Sequence, residues 1–131
     1  SVTDNGNGTY TATFTGVLVG TAATISASIN GSAVSTALPT ITVTPGSISR
    51  NTSVISVGTS TIQSGSATTL TLQARDAAGN TITTGGAAIV FSRSGGTSTG
   101  TISSTTDVGN GTYTASFTGV LAGTATSISA T

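Results

Sequence analysis

The sequence contains no cysteine, histidine, lysine, glutamate, methionine or tryptophan among its 131 residues. Without cysteine the chain can form no disulfide, and without lysine it can form no lysine–asparagine isopeptide cross-link. General acid–base catalysis uses histidine, aspartate, glutamate, lysine, cysteine or tyrosine, and most of these residue types are missing. Serine and threonine are plentiful, but no base stands in a pattern that would activate one of them. The composition therefore argues against an enzyme and against a bound cofactor.

Charge is equally scarce, because the chain has only three arginines and three aspartates and a formal net charge of zero. Such a surface exerts no long-range attraction on nucleic acid or on anionic lipid. No apolar run approaches the roughly 20 residues that a membrane-spanning helix needs. We therefore expect no nucleic-acid partner and no insertion into a membrane.

Small polar residues dominate the chain, which has 20 serines, 31 threonines and 18 glycines. Tyr113, Ala115 and Phe117 alternate with threonine and serine, so they fall on one face of a strand. Similar alternation of β-branched and apolar residues predicts strands along the whole chain and almost no helix. Besides the strand around Tyr113, the predicted strands are residues 9–15, 22–30, 40–44, 53–62, 67–75, 86–93, 100–105 and 124–130.

The strongest pattern is an internal repeat. TDNGNGTYTATFTGVLVGTAATISA at residues 3–27 returns as TDVGNGTYTASFTGVLAGTATSISA at residues 106–130, with 20 of 25 positions identical at an offset of 103 residues. This period is longer than the roughly 20–50 residues of solenoid repeats and matches an immunoglobulin-like sandwich of about 100 residues. We predict an all-β, immunoglobulin-like antiparallel β-sandwich in tandem repeats of about 103 residues. Residues 1–43 are then the C-terminal strands of one repeat, and residues 44–131 are the next repeat without its final strand.

Two turn motifs resemble those of a known family. DAAGN at residues 76–80 and DVGNGTY at residues 107–113, followed by a glycine in the next turn, resemble the group 1 bacterial immunoglobulin-like domains of the invasin and intimin family. The matching residues are Asp76, Gly79, Asn80, Asp107, Gly109, Gly111, Tyr113 and Gly123, with Asp4, Gly6, Gly8, Tyr10 and Gly20 in the first copy. The resemblance implies an extracellular, structural stalk or filament repeat of a bacterial cell-surface adhesin or fibre, which extends a distal binding tip.

The motif residues are expected to be structural. A calcium loop would combine several carboxylates, but each Asp-x-Gly-x-Gly loop has a single aspartate. An Asx-turn, in which the aspartate accepts hydrogen bonds from nearby backbone N–H groups, explains the loops without a metal. The tyrosine that follows stands where a corner tyrosine would bond to upstream backbone. The predicted turn and corner residues are Asp4, Gly8, Tyr10, Asp76, Gly79, Asn80, Asp107, Gly111 and Tyr113, with no catalytic, cofactor or metal role.

Alignment of the two copies also predicts a partner. Residues 28–43 should form the closing strand of the first copy, and the equivalent of Ser28 in the second copy is Thr131. The strand at 124–130 should therefore have an open edge, which favours the addition of another strand. We expect neighbouring copies of the repeat to complete it, within one chain or as a homo-oligomeric fibre, while any host or prey surface is contacted by separate tip domains. The alternative function is a carbohydrate- or surface-binding β-sandwich module of an extracellular protein.

Overall fold

The computed structural model describes all 131 residues, and its regular secondary structure consists of β-strands alone. The chain divides into two compact units, unit 1 at Ser1–Thr44 and unit 2 at Pro45–Thr131. It has no helix with the length and hydropathy needed to cross a membrane. The predicted all-β class is confirmed. The strands are β1 (Thr3–Asp4), β2 (Tyr10–Thr11), β3 (Ala23–Thr24), β4 (Ser28–Ile29), β5 (Ser32–Ala33), β6 (Thr40–Ile41), β7 (Val54–Val57), β8 (Ala67–Gln73), β9 (Phe91–Ser94), β10 (Thr99–Ile102), β11 (Thr106–Asp107), β12 (Thr112–Leu121) and β13 (Ser127–Ala130).

Unit 2 is built from two antiparallel sheets. The larger sheet has five strands in the order β10–β12–β8–β7, with β11 also paired to β12. The smaller sheet pairs β13 with β9. The longest ladder joins β8 to β12 through seven residue pairs, from Thr112 opposite Gln73 to Thr118 opposite Ala67. This ladder decides which side chains point into the interior.

The core of unit 2 follows the alternation along β8 and β12. Leu72 lies opposite Tyr113 and Leu70 lies opposite Ala115, and all four side chains are buried. Because successive residues of a strand point to opposite faces, the threonines between them stay outside the core. Burial of a leucine or phenylalanine side chain contributes about 1.5–3 kcal/mol, so this face holds the two sheets together. The buried apolar residues are Leu70, Leu72, Ala74, Ile82, Phe91, Tyr113, Ala115 and Phe117.

Unit 1 contains three two-stranded ladders, β1–β2, β3–β6 and β4–β5. Tyr10 and Phe14 are 66% and 52% exposed, whereas their sequence equivalents in unit 2, Tyr113 and Phe117, are 0% and 9% exposed. The difference arises because unit 1 has no counterpart of β8 to cover this face. For the same reason the strand predicted over residues 9–15 is reduced to the two residues of β2.

The β4–β5 hairpin replaces the single closing strand expected over residues 28–43. Its turn residues, Asn30 and Gly31, both have positive φ, at 50° and 84°. Asn-Gly is the preferred sequence for a two-residue turn of this kind, because its twist matches that of the flanking strands. The Val34 N–H extends the hairpin by donating to the Ala27 carbonyl oxygen at 2.9 Å. The chain then returns through β6 to pair with β3.

Candidate functional site

The turn after β8 is organised by the carboxylate of Asp76, which is only 6% exposed. Oδ1 accepts hydrogen bonds from the backbone N–H groups of Ala78 at 3.0 Å and Asn80 at 2.9 Å. Oδ2 accepts from the backbone N–H of Gly46 and the side-chain amide of Asn80, both at 2.9 Å. These bonds stabilise the charged form and lower the pKa of Asp76. The Gly46 N–H makes the largest contribution and the side-chain amide of Asn80 the next largest. Gly79, at a φ of 86°, closes the turn by donating its N–H to the Asp76 carbonyl oxygen at 3.0 Å.

The same turn fastens the beginning of unit 2 to the end of β8. The Ser49 N–H donates to the Arg75 carbonyl oxygen at 2.7 Å. The Thr52 hydroxyl donates to the Asp76 carbonyl oxygen at 2.6 Å. Together with the bond from Gly46, these contacts hold residues 46–52 against the turn, which gives Asp76 a structural role.

A second turn of this type is centred on Asp107. Its Oδ1 accepts the N–H of Gly109 at 2.8 Å and its Oδ2 accepts the N–H of Gly86 at 2.6 Å. In unit 1, Asp4 Oδ1 accepts the N–H of Gly6 at 2.8 Å, so the local half of the pattern occurs in both copies. The bond from Gly109, two residues further along the chain, is that of an Asx-turn, and the bond from Gly86 adds a long-range contact to it.

Two glycines of these loops differ in what surrounds them. Gly111 and Gly8 have positive φ, at 81° and 83°, and residues other than glycine rarely adopt this backbone conformation. Gly111 also packs its Cα directly against the carbonyl oxygen of Ile82, which leaves no room for a Cβ, whereas Gly8 faces open space. Glycine at position 111 is therefore required by both conformation and packing.

The hydroxyl of Tyr113 reaches back to the loop before β9. Tyr113 is fully buried, and its hydroxyl oxygen accepts the N–H of Ala87 at 3.1 Å. The neighbouring residue, Gly86, donates its N–H to Asp107. Two side chains from residues 107–113 thus fix two consecutive backbone groups of one loop.

The predicted turn and corner residues do not form one site. Asp76, Gly79 and Asn80 form one cluster, Asp107, Gly111 and Tyr113 belong to another, and Asp4, Gly8 and Tyr10 lie exposed in unit 1. Sequence reasoning missed the partners of these residues. Gly46, Gly86 and Ala87 lie 30, 21 and 26 residues from the side chains that they bond. They act through backbone N–H groups, so no side-chain pattern could have revealed them.

An open groove of about 770 Å³ lies between β7, at the edge of the larger sheet, and β13. Ile55 and Val57 of β7 line one side, and Ile128 of β13 lines the other, with Leu70 and Phe117 between them. None of the lining residues is charged, and the polar ones are serine and threonine. The groove can therefore hold an apolar or extended segment, but it offers no acid–base pair.

Comparison with known families matches residues 49–131 to the family described as invasin, domain 3. The chain belongs to the invasin domain 3 family. Among solved structures it is similar to a chain of FdeC, an Escherichia coli adhesin, with 33% identity and a TM-score of 0.58. The similarity covers 100% of this chain and 41% of the FdeC chain, so this chain spans less than half the length of that solved chain. Comparison with curated proteins gave no significant match.

The invasin domain 3 match contains both turn clusters, the buried tyrosine and the groove. It confirms the resemblance to the invasin and intimin family that the two turn motifs predicted. It also confirms the immunoglobulin-like sandwich, whose two sheets are those of unit 2. The chain is therefore an adhesin-related immunoglobulin-like protein.

Proposed function

We propose that this invasin domain 3 protein is a structural repeat in the stalk or filament of a bacterial cell-surface adhesin. Its role is to carry a distal binding tip away from the cell, and its location is extracellular. The family membership and the similarity to the adhesin FdeC support this role. The carboxylates of Asp76 and Asp107 support it too, because their oxygens bind backbone N–H groups and stiffen turns.

The observation that carries the proposal is the repeat of residues 3–27 at residues 106–130, 103 residues later. A stalk gains length by adding near-identical modules in sequence, and two parts of such modules occur in this chain. Strand β12 is 10 residues long, which corresponds to about 33 Å at ~3.3 Å per residue. Each added module should therefore lengthen the stalk by roughly 30–40 Å.

The near absence of charge is also suited to a stalk outside the cell. With a net charge of zero, contacts between neighbouring modules depend little on ionic strength, because salt screens mainly the interactions between exposed charges. The spacing between modules would then stay constant as the medium changes.

Small-angle X-ray scattering on arrays of one, two and four copies of residues 28–130 tests the proposal. The maximum dimension should increase linearly, by roughly 30–40 Å for each copy. A glycine–serine chain of equal residue number is the control, because a flexible coil lengthens only with about the square root of its length. A dimension that does not grow with copy number, or host-cell binding by an array without any tip, would contradict the stalk role.

A further inference from the structure

Strand β9 is paired along one edge only. Its partner is β13, and the ladder continues to Val90 and Thr131, which exchange both backbone hydrogen bonds at 2.8 and 3.0 Å. In an antiparallel ladder such bonded pairs alternate with pairs whose backbone groups point away from each other. Counting from Val90, the N–H and C=O groups of Phe91 and Arg93 point away from β13. These groups form an unpaired outer edge, which we call the β9 edge.

The β9 edge lies on the opposite side of the smaller sheet from the position where unit 1 adds its next strand. In unit 1 the Ile25 N–H donates to the carbonyl oxygen of Pro39 at 2.9 Å. Ile25 is equivalent to Ile128 of β13, which pairs with Arg93 and directs its backbone groups away from β9 by the same alternation. A strand placed as in unit 1 would therefore extend the sheet beyond β13 and leave the β9 edge unpaired.

The sequence that leads into the β9 edge favours strand pairing. AAIVF at residues 87–91 is the longest uninterrupted apolar run of the chain, and β-branched and aromatic residues are favoured in strands. Val90 within this run is 62% exposed. An unpaired edge beside such a run is a template on which another chain can pair. Without an obstacle, the β9 edge would therefore be a site for pairing with a second copy.

Arg93 supplies such an obstacle. It is the only positively charged residue in any strand of the chain. It lies two residues after Phe91, which is 6% exposed, so its side chain starts from the same, core-facing side of β9. Its Nε donates to the carbonyl oxygen of Gly100 at 3.3 Å. Gly100 belongs to β10, an edge strand of the larger sheet, so Arg93 connects the edges of both sheets.

A second copy would meet this side chain within the new ladder. Two identical edges pair antiparallel about a two-fold axis, and with Ser92 on that axis, Phe91 of one copy lies opposite Arg93 of the other. Each guanidinium would lose hydration beside an apolar neighbour, and β9 contains no carboxylate to compensate for this loss. An inward-facing charge on an edge strand is one of the means by which proteins avoid edge-to-edge pairing.

We propose that Arg93 prevents the protein from pairing with a second copy of itself through the β9 edge. The property that matters is the positive charge, and the hydrogen bond to Gly100 holds that charge at the edge. Closely spaced copies of one module are prone to mispairing, so the effect is greatest where many copies meet. The role of Arg93 does not depend on the stalk proposed above.

Arg93→Thr in the full chain removes the charge and introduces the commonest residue of the sequence. Its self-association, measured by sedimentation velocity over a range of concentrations, should be at least about tenfold stronger than that of the native protein, a difference of ~1.4 kcal/mol. Arg50→Thr is the matched control, because Arg50 is exposed and lies outside the strands. Arg50→Thr and Arg93→Lys, which keeps the charge, should both associate no more than the native protein.

The absence of cysteine from the chain allows the pairing to be located. Ser92→Cys combined with Arg93→Thr should form a disulfide-linked dimer about tenfold faster than Ser92→Cys with Arg93 retained, because a disulfide requires Cα atoms within about 7 Å. Ser104→Cys is the control position, since Ser104 is exposed and lies outside β9. Its rate of cross-linking should not respond to Arg93→Thr.

Circular dichroism shows whether Arg93→Thr is folded. If it is not, Arg93→Gln decides in its place, because glutamine keeps an amide donor for Gly100 and removes only the charge. Association of the folded, charge-free variant no stronger than that of the native protein would overturn the proposal. Equal association of Arg50→Thr or Arg93→Lys with the charge-free variant would overturn it too, as would cross-linking at Ser92→Cys that is the same with and without Arg93.

Discussion

The buried hydroxyl oxygen of Tyr113 accepts the backbone N–H of Ala87 at 3.1 Å. The two residues lie on different parts of unit 2, the tyrosine in β12 and the alanine in the loop before β9. One phenolic oxygen therefore ties a strand of the larger sheet to the segment that leads into the smaller sheet. The equivalent tyrosine of unit 1, Tyr10, is 66% exposed.

Replacement of Tyr113 by phenylalanine should destabilise unit 2 by about 1–3 kcal/mol, because the Ala87 N–H is left without its partner. Tyr10→Phe is the matched control and should leave stability unchanged, since this side chain is exposed. Urea unfolding followed by circular dichroism measures both. Equal midpoints for Tyr113→Phe and the unmodified protein would show that the hydroxyl bond contributes nothing.

Low pH should lower the stability of unit 2 against unfolding, because the carboxylate of Asp76 becomes protonated. Hydrogen bonds lower the pKa of Asp76, most of all the bond from the Gly46 N–H, followed by the bond from the Asn80 amide. The folded-state pKa therefore lies below the ordinary value of about 3.9. The carboxylate therefore stabilises the fold fully above pH ~4, and this stabilisation is lost as the pH falls through the lowered folded-state pKa. Urea midpoints measured from neutral to strongly acidic pH should decline in this window. The Asp76→Asn variant should be less stable at neutral pH and show a flatter decline. An identical acid profile for both proteins would refute the role of Asp76.

Two glycines of one loop should respond differently to alanine. Gly109 and Gly111 have φ of 85° and 81°, so Gly→Ala costs about 1–2 kcal/mol at each position from the left-handed conformation. At Gly111 the new Cβ also meets the Ile82 carbonyl oxygen, whereas at Gly109 it meets open space. Thermal unfolding should show a clearly larger loss for Gly111→Ala. Similar losses at both positions would mean that the loop moves away from Ile82 easily.

The Asp107 loop should bind no calcium. Its Oδ1 and Oδ2 accept the N–H groups of Gly109 and Gly86, and a calcium site normally combines several carboxylates with other oxygens. Isothermal titration calorimetry should show no saturable heat on addition of calcium. Stoichiometric binding that Asp107→Ala removes and Asp4→Ala retains would contradict this prediction.

The sequence predicted well what depends on neighbouring residues. The alternation of Tyr113, Ala115 and Phe117 correctly indicated the buried face of a strand, because pleating alone decides which side a residue faces. Positive φ at Gly79 and Gly111 agrees with the turn motifs. The Asn30-Gly31 hairpin was missed although its sequence is a strong turn signal. It could have been predicted from those two residues.

What the sequence could not supply depends on distant residues. The same pattern of residues forms a buried strand at Tyr113 and an exposed segment at Tyr10, because only the first lies beside β8. The strand predicted over residues 86–93 begins only at Phe91. Gly86 and Ala87, at its predicted start, are held by the side chains of Asp107 and Tyr113 instead of by a ladder. Such long-range bonds between a side chain and a distant backbone group can be identified only from the folded structure.

The pairing of β8 with β12 also has a consequence for folding. β8 meets two nearly identical candidate partners along the chain, residues 9–15 before it and Thr112–Leu121 after it. The intervening segments are residues 16–66 and 74–111, and for loops of such similar length the entropy of closure differs by only about 0.3 kcal/mol. During synthesis the earlier segment emerges first, and chains fold from the N-terminal end as they emerge. The ladder of β8 with β12 can therefore form only after Thr112–Leu121 has been synthesised, and a pairing of β8 with residues 9–15 would delay it.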